Sequence, residues 1–117
     1  MLTKSKIASH LVDGFIIATI NDDFQAQKFK SACEDLVLQV KSAKPKGLIL
    51  DFSSFKVLDF EFIETINELI KMVKILGFAV VCVGLTPGTV TSMIALELQF
   101  ETKLIARDVD DAMRTLK

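Results

Sequence analysis

The stretch from Gly47 to Leu76, GLILDFSSFKVLDFEFIETINELIKMVKIL, constrains the fold of this chain more than any other. Leu48, Ile49 and Leu50 form an uninterrupted apolar run that stops at Asp51. Such a run has no side suited to water, so it reads as a strand buried on both faces, as in a parallel sheet. The polar turn Asp51–Ser54 follows, then Phe55–Leu58 and Asp59. From there Phe62, Ile63, Ile66, Leu69, Ile70 and Val73 recur at helical spacing. A buried strand therefore runs through an acidic, hydroxyl-rich loop into a helix N-terminus. Open α/β sheets place their working surface beyond the carboxyl ends of their strands. Function is expected around Asp51–Glu61.

A second continuous apolar run, Phe78–Val83, predicts another central strand, and Gly77 before it ends the preceding helix. Toward the N-terminus, Lys6–Ser9 is a weak strand. His10–Gly14 is a turn with Asp13-Gly14 as a hairpin signal, and Phe15–Ile20 is a stronger strand. Asn21, Asp22 and Asp23 offer caps for a helix from about Phe24 to Ser42. Its inward face carries Phe29, Cys33 or Ala32, Leu36, Val37 and Val40, and Pro45 stops it. Gly84–Gly88 is a loop in which Thr86 caps and Pro87 opens a short helix, with Val90, Met93, Ile94 and Leu96 or Leu98 inward. Lys103–Ala106 is a last short strand, and Asp108 caps a final helix to Leu116. After an initial hairpin the elements alternate. That order predicts an α/β fold in one domain, 1–117, with a mixed, mostly parallel sheet of about five strands, about four helices and right-handed crossovers.

The inventory of catalytic groups is poor. His10 is the only histidine, which leaves Ser-His-Asp and Cys-His arrangements almost nothing to draw on. Without a second histidine or clustered cysteines a transition-metal site is not expected. The Gly84–Gly88 loop lacks the lysine and hydroxyl spacing of a phosphate-binding P-loop, and no cofactor is expected. Asp51, Asp59 and Glu61 have the chemistry to hold a hard cation such as magnesium. The preferred reading is that Asp51 bonds loop N–H groups while Asp59 and Glu61 serve the helix N-terminus. Cys33 and Cys82 sit in apolar contexts and read as reduced core thiols.

With 14 basic and 15 acidic residues the net charge is −1, which gives no grip on nucleic acid or anionic lipid. No apolar run approaches the ~18 residues of a membrane span. The opening MLTKSKIASHLVDG is too polar for a signal peptide, so a cytoplasmic location is expected.

What remains is surface. Phe52, Phe55, Phe60 and Phe62 crowd around one loop and helix start, and a helix buries a single stripe, so some of them should face outward. An apolar patch at a functional edge marks a protein-binding surface. Ser53, Ser54, Thr86, Thr91 and Ser92 are hydroxyls in loops or first turns at that same side. Phosphorylation there would add nearly two negative charges. Turn and cap roles explain Ser53, Ser54 and Thr86, whereas Ser92 lies a turn into its helix, where capping does not explain it.

The Gly47–Leu98 stretch, with DVDDAMRTL near the end, resembles the STAS domains of anti-sigma-factor antagonists, stressosome proteins and sulfate-transporter tails. The strand-Asp-x-Ser-Ser-(x)4-Asp core, Asp51 to Asp59, and the VGLTP loop, Val83 to Pro87, are most similar to the stressosome branch, RsbS and RsbR. The resemblance covers nearly the whole chain. It implies a sheet with helices mainly on one side, no enzymatic activity, and docking of protein partners through the loop and helix after the central strand. Ser53, Ser54, Asp59, Phe60, Glu61 and Phe62 then form the partner-binding surface. The implied partners are a serine-protein kinase, an anti-sigma factor or other STAS proteins, including homo-oligomers or a large assembly.

The family switch is a Ser or Thr directly after the Asp that opens this helix. That place is Phe60, which accepts no phosphoryl group. A second acceptor in the stressosome branch lies in the helix after the VG-x-x-P loop, where Ser92 falls. The resemblance thus implies a constitutive binder, or one regulated at Ser92. Glu61 is no phosphate mimic, because it points about 100° away around the helix. Two other classes compete: a small-ligand or nucleotide-binding domain using the GLTPG loop, and a STAS accessory subunit of a transporter.

Overall fold

The computed structural model describes residues 7–21, 26–55 and 59–116. Strands β1 (Ala8–Val12) and β2 (Phe15–Thr19) form an antiparallel hairpin, with Ala8 opposite Thr19 and Val12 opposite Phe15. Asp13 and Gly14 have φ of 51° and 88°, the doubly positive backbone that a two-residue hairpin turn demands. The turn expected over His10–Gly14 is therefore shorter, and His10 lies in β1. Two residues suffice to reverse the chain, and the remainder pair with β2.

Helix α1 (Ala26–Ala43) buries Phe29, Ala32, Cys33, Leu36, Val37 and Val40, the face read from the sequence. The caps Asp22 and Asp23 and the helix start at Phe24 fall outside the described residues. At the other end Lys44 turns out of the helix with φ 48°, its N–H donating to the Val40 carbonyl at 3.0 Å, just before Pro45.

Strand β3 (Gly47–Asp51) pairs in parallel with β2 on one side and with β4 (Val80–Val83) on the other. The last strand, β5 (Ile105–Ala106), adds in parallel to β4, so the five strands lie in the order β1-β2-β3-β4-β5. Phe78 and Ala79 fall outside β4, although the Ala79 carbonyl already accepts from Leu48 N–H at 2.9 Å.

The apolar run at 48–50 is explained by what covers the sheet. Leu48 and Leu50, with Ile16, Ala18, Val80 and Cys82, belong to one core, which also takes side chains from α1, from α2 (Phe60–Ile75) and from α3 (Pro87–Ala95). Ile49, with Phe15, Val81 and Val83, belongs to a second core closed by Ala112, Val109 and Met113 of α4 (Val109–Thr115). A strand between two cores has no polar side, and its burial on both faces is why it reads as continuous hydrophobe. Asp108 caps α4 by accepting from Asp111 N–H at 2.9 Å.

Helix α2 buries Ile63, Ile66, Leu69, Ile70 and Val73, as the spacing predicts, and Gly77 beyond its end has φ 98°. Helix α3 departs from expectation. Its buried residues are Thr89 and Met93, while Val90, Ile94 and Leu96 are exposed and Leu98 is half-buried against the core. The cap sets this phase. Thr86 Oγ1 accepts from Thr89 N–H at 3.1 Å and donates to the Thr89 hydroxyl at 2.9 Å. With its hydroxyl partnered, Thr89 takes the inward stripe with Met93, one position before the stripe of Val90 and Ile94.

Candidate functional site

The carboxyl end of β3 is locked by local hydrogen bonds. Asp51 Oδ1 accepts from Ser53 N–H at 2.9 Å and from the Ser53 hydroxyl, which closes the loop on itself. Phe55 N–H donates to the Phe52 carbonyl at 2.9 Å, continuing the turn. The neighbouring loop presses on this one at Gly84, whose φ is 75°. A Cβ there would lie 2.7 Å from Asp51 Oδ1 and 2.8 Å from Ser53 N, so only glycine lets the β4–α3 loop pass so close to the β3–α2 loop.

The aromatic residues divide sharply. Phe52 and Phe55 are buried, and their rings meet edge to face at 5.9 Å. Phe62 is half-buried, stacked on Phe29 of α1 at 4.0 Å and against Phe55 at 4.6 Å. Phe52 also meets Phe100 at 5.1 Å. A chain of rings from α1 to the segment before β5 thus ties the loop into the core. Phe60, the first residue of α2, stands apart with 61 % of its surface exposed. Helical phase explains the split: Ile63, Ile66, Ile70 and Val73 fix the buried stripe, and Phe60 lies off it.

Asp59 caps α2 with backbone in the extended region, its Oδ1 accepting from Phe62 N–H at 2.8 Å. That bond satisfies one of the orphan donors of the first turn. Glu61 is exposed in the same turn, where a negative charge suits the positive end of the helix dipole. Between α1 and α2 runs a groove of about 320 Å³, with Phe29 and Phe62 as apolar lining and Asp59, Glu61, Glu64 and Glu68 as acidic lining. Phe62 therefore faces this groove and the core rather than open solvent.

Of the residues singled out from the sequence, Ser53, Ser54, Asp59, Phe60 and Glu61 are exposed at the carboxyl edge of the sheet. Ser92 is exposed on α3, the helix that follows the neighbouring strand β4. Thr91 is exposed beside it, and Thr86 is occupied as a cap. Sequence reasoning missed the outward side chains of Val90 and Ile94. The two apolar stripes of α3 differ by one position, and only the Thr86–Thr89 bond distinguishes them.

Among the described residues no three His, Cys, Asp or Glu side chains gather as a metal ion would require. The Asp51 and Asp59 carboxylates already accept N–H bonds from their own loops. Cys33 and Cys82 are free and buried. Burial pushes each thiol up to about 12, assisted at Cys33 by the negative charges of Glu34 and Glu68, so neither is a nucleophile near neutral pH. No helix among the described residues is long and apolar enough to cross a membrane.

No protein-family model matches the chain, and no curated protein does. Solved structures do. Moorella thermoacetica RsbS, in a form with a serine replaced by glutamate, aligns with a TM-score of 0.79 at 21 % identity, over 96 % of this chain and 95 % of that one. A chain of the stressosome, described as a signal integration and transduction hub, aligns at 0.77 and 21 %, over 93 % and 95 %. The anti-sigma factor antagonist SpoIIAA, unphosphorylated, aligns at 0.62 and 8 %, over 93 % and 94 %. In the murine anion transporter Slc26a9, 90 % of this chain matches 18 % of that one at 0.71 and 15 %. With a five-stranded mixed sheet, three helices on one face and a fourth on the other among its described residues, the chain has the STAS fold of RsbS and SpoIIAA.

Proposed function

We propose that this chain is a non-enzymatic, protein-binding regulatory module of the stressosome or anti-sigma-factor-antagonist type. It docks its partner through the β3–α2 loop and the first turn of α2, with Ser53, Ser54, Asp59, Phe60 and Glu61 at the surface and Phe62 behind them. The partner is a serine-protein kinase, an anti-sigma factor or another STAS protein. The observation that carries this reading is Phe60: a large apolar side chain, 61 % exposed, on a helix terminus whose other aromatic neighbours are all drawn into the fold. An exposed aromatic at a rigid, capped position is what a binding hot spot needs.

Phenylalanine at this position also supports a mode of action. Where a hydroxyl would let a kinase place a dianion in the interface, Phe60 keeps the surface neutral at that point. Docking is therefore constitutive there, and control falls to Ser92, exposed on α3. The likeness to a segment of Slc26a9 keeps a transporter-associated role as the competing reading.

The test is recovery of the chain from its source cell, with native mass measurement and phosphosite mapping. The proposal expects a kinase, an anti-sigma factor or other STAS chains in the complex, up to a large assembly, and no phosphate on the Asp59–Glu61 segment. Recovery with a membrane transporter, or stoichiometric phosphate on Ser53 or Ser54 with loss of the partner, contradicts it. For Ser92, unequal partner binding by Ser92→Ala and Ser92→Asp supports regulation, and binding identical to wild type removes it.

A further inference from the structure

Among the described residues the outer edge of β1 is open. Among them β1 pairs only with β2, so the backbone donors and acceptors of two of its five residues meet no strand. A two-residue hairpin closes on a hydrogen-bonded pair, here Val12 and Phe15, and bonded pairs alternate with non-bonded ones from there. Ala8 and His10 therefore bond inward to β2, while Ser9 and Leu11 turn their N–H and C=O groups to the open side. Soluble proteins blunt such edges with lysine, proline, a bulge or a covering element. β1 reads Ala-Ser-His-Leu-Val, without a lysine, arginine, carboxylate or proline, and its register with β2 runs unbroken. Leu11 is 65 % exposed. On the α1 side the edge opens on a groove of about 380 Å³, lined by Leu11, Ile16, Ser42 and Ala43 among others. Ser9 lies on that side, its hydroxyl donating to Gln39 Oε1 at 2.9 Å.

We propose that this edge pairs with the same edge of a second copy, antiparallel about a two-fold axis at His10, joining two five-stranded sheets into one. The strand is complementary to itself. In that register Ser9 of one copy lies opposite Leu11 of the other, and both carry the outward backbone groups, so the donors and acceptors match. Like charges directly opposite one another destabilise a strand pair. Self-pairing brings like residues together about the axis, and this strand sets no lysine, arginine or carboxylate against its own copy. Leu11 of each copy is carried toward the other's Ser9 and the groove beside it, which removes the more exposed of the strand's two large apolar side chains from water. His10 falls on the other face at a non-bonded position, where antiparallel strands approach to about 4.5 Å between Cα atoms. Because β2 separates β1 from β3, the pairing stands independently of docking at α2, and it would leave both α2 N-termini open to partners.

Two measurements on the full chain test this. Sedimentation over a wide concentration range should show a species near twice the 13.0 kDa chain mass. Leu11→Lys should weaken its formation by at least about tenfold, with circular dichroism confirming an unchanged fold. Independently, His10→Cys should form a disulfide-linked dimer under mild oxidation much faster than Lys41→Cys, an exposed site on α1, since Cys33 and Cys82 are buried. The second variant answers the question even if Leu11→Lys does not fold. A chain that stays monomeric throughout, a dimer that Leu11→Lys leaves intact, or equal cross-linking at positions 10 and 41 overturns the proposal.

Discussion

Phe55 and Phe60 come from the same short segment and do opposite work. Phe55 is 2 % exposed among Phe52 and Phe62, and Phe60 is 61 % exposed. Phe55→Ala should cost about 3–5 kcal/mol of stability, the range for a buried aromatic. Phe60→Ala should stay within about 0.5 kcal/mol of wild type. Urea denaturation of the two variants checks both, and a large loss at Phe60 would mean that its ring is structural. The thiols give a second prediction at this scale. Each is held at about 12 in the fold against an ordinary value of 9.0. Between those values the unfolded chain has released protons that the folded chain retains, so stability falls as pH rises, by up to about 1.4 kcal/mol per pH unit for each thiol. Denaturation midpoints at pH 8, 9 and 10 should show this decline, and the Cys33→Ala, Cys82→Ala double variant should lose that part of the slope. That some of the four phenylalanines face outward was legible, because a helix buries a single stripe, and the exposed one is Phe60. The burial of Phe52 and Phe55 was not, because a loop has no period from which to read a facing direction.

At the scale of elements, the carboxyl edge of the sheet is two loops fitted together at Gly84. Asp51 and Ser53 fill the space where a side chain at 84 would go, and φ there is 75°. Gly84→Ala should therefore cost about 1–3 kcal/mol, from the strained backbone together with a displaced Asp51 loop. Thermal unfolding measures that loss. A variant as stable as wild type would show that the loops are not interlocked. Local caps were readable from sequence, since Thr86, Asp59 and Asp108 all bond the third residue on. The facing of α3 was not. Its apolar residues supply two adjacent stripes, and a bond between two threonine side chains selects one of them.

For the whole molecule, the mixed parallel sheet followed from two apolar runs, because only burial on both faces makes a strand hydrophobic at every position. The fourth helix on the opposite face supplies that second cover. The extent of β5 was hidden. The Thr102 hydroxyl donates to the Val80 carbonyl at 2.8 Å and accepts from Leu104 N–H at 3.2 Å, and of the expected strand Lys103–Ala106 only Ile105 and Ala106 pair as β5. The central claim is that the α2 terminus is the face presented to a partner. Its most direct test is the affinity of the recovered kinase, anti-sigma factor or STAS partner for wild type, Phe60→Ala and Leu38→Ala, whose replaced side chains are equally exposed at 61 %. The account predicts at least about tenfold weaker binding for Phe60→Ala and unchanged binding for Leu38→Ala. Equal affinity for all three proteins would contradict it.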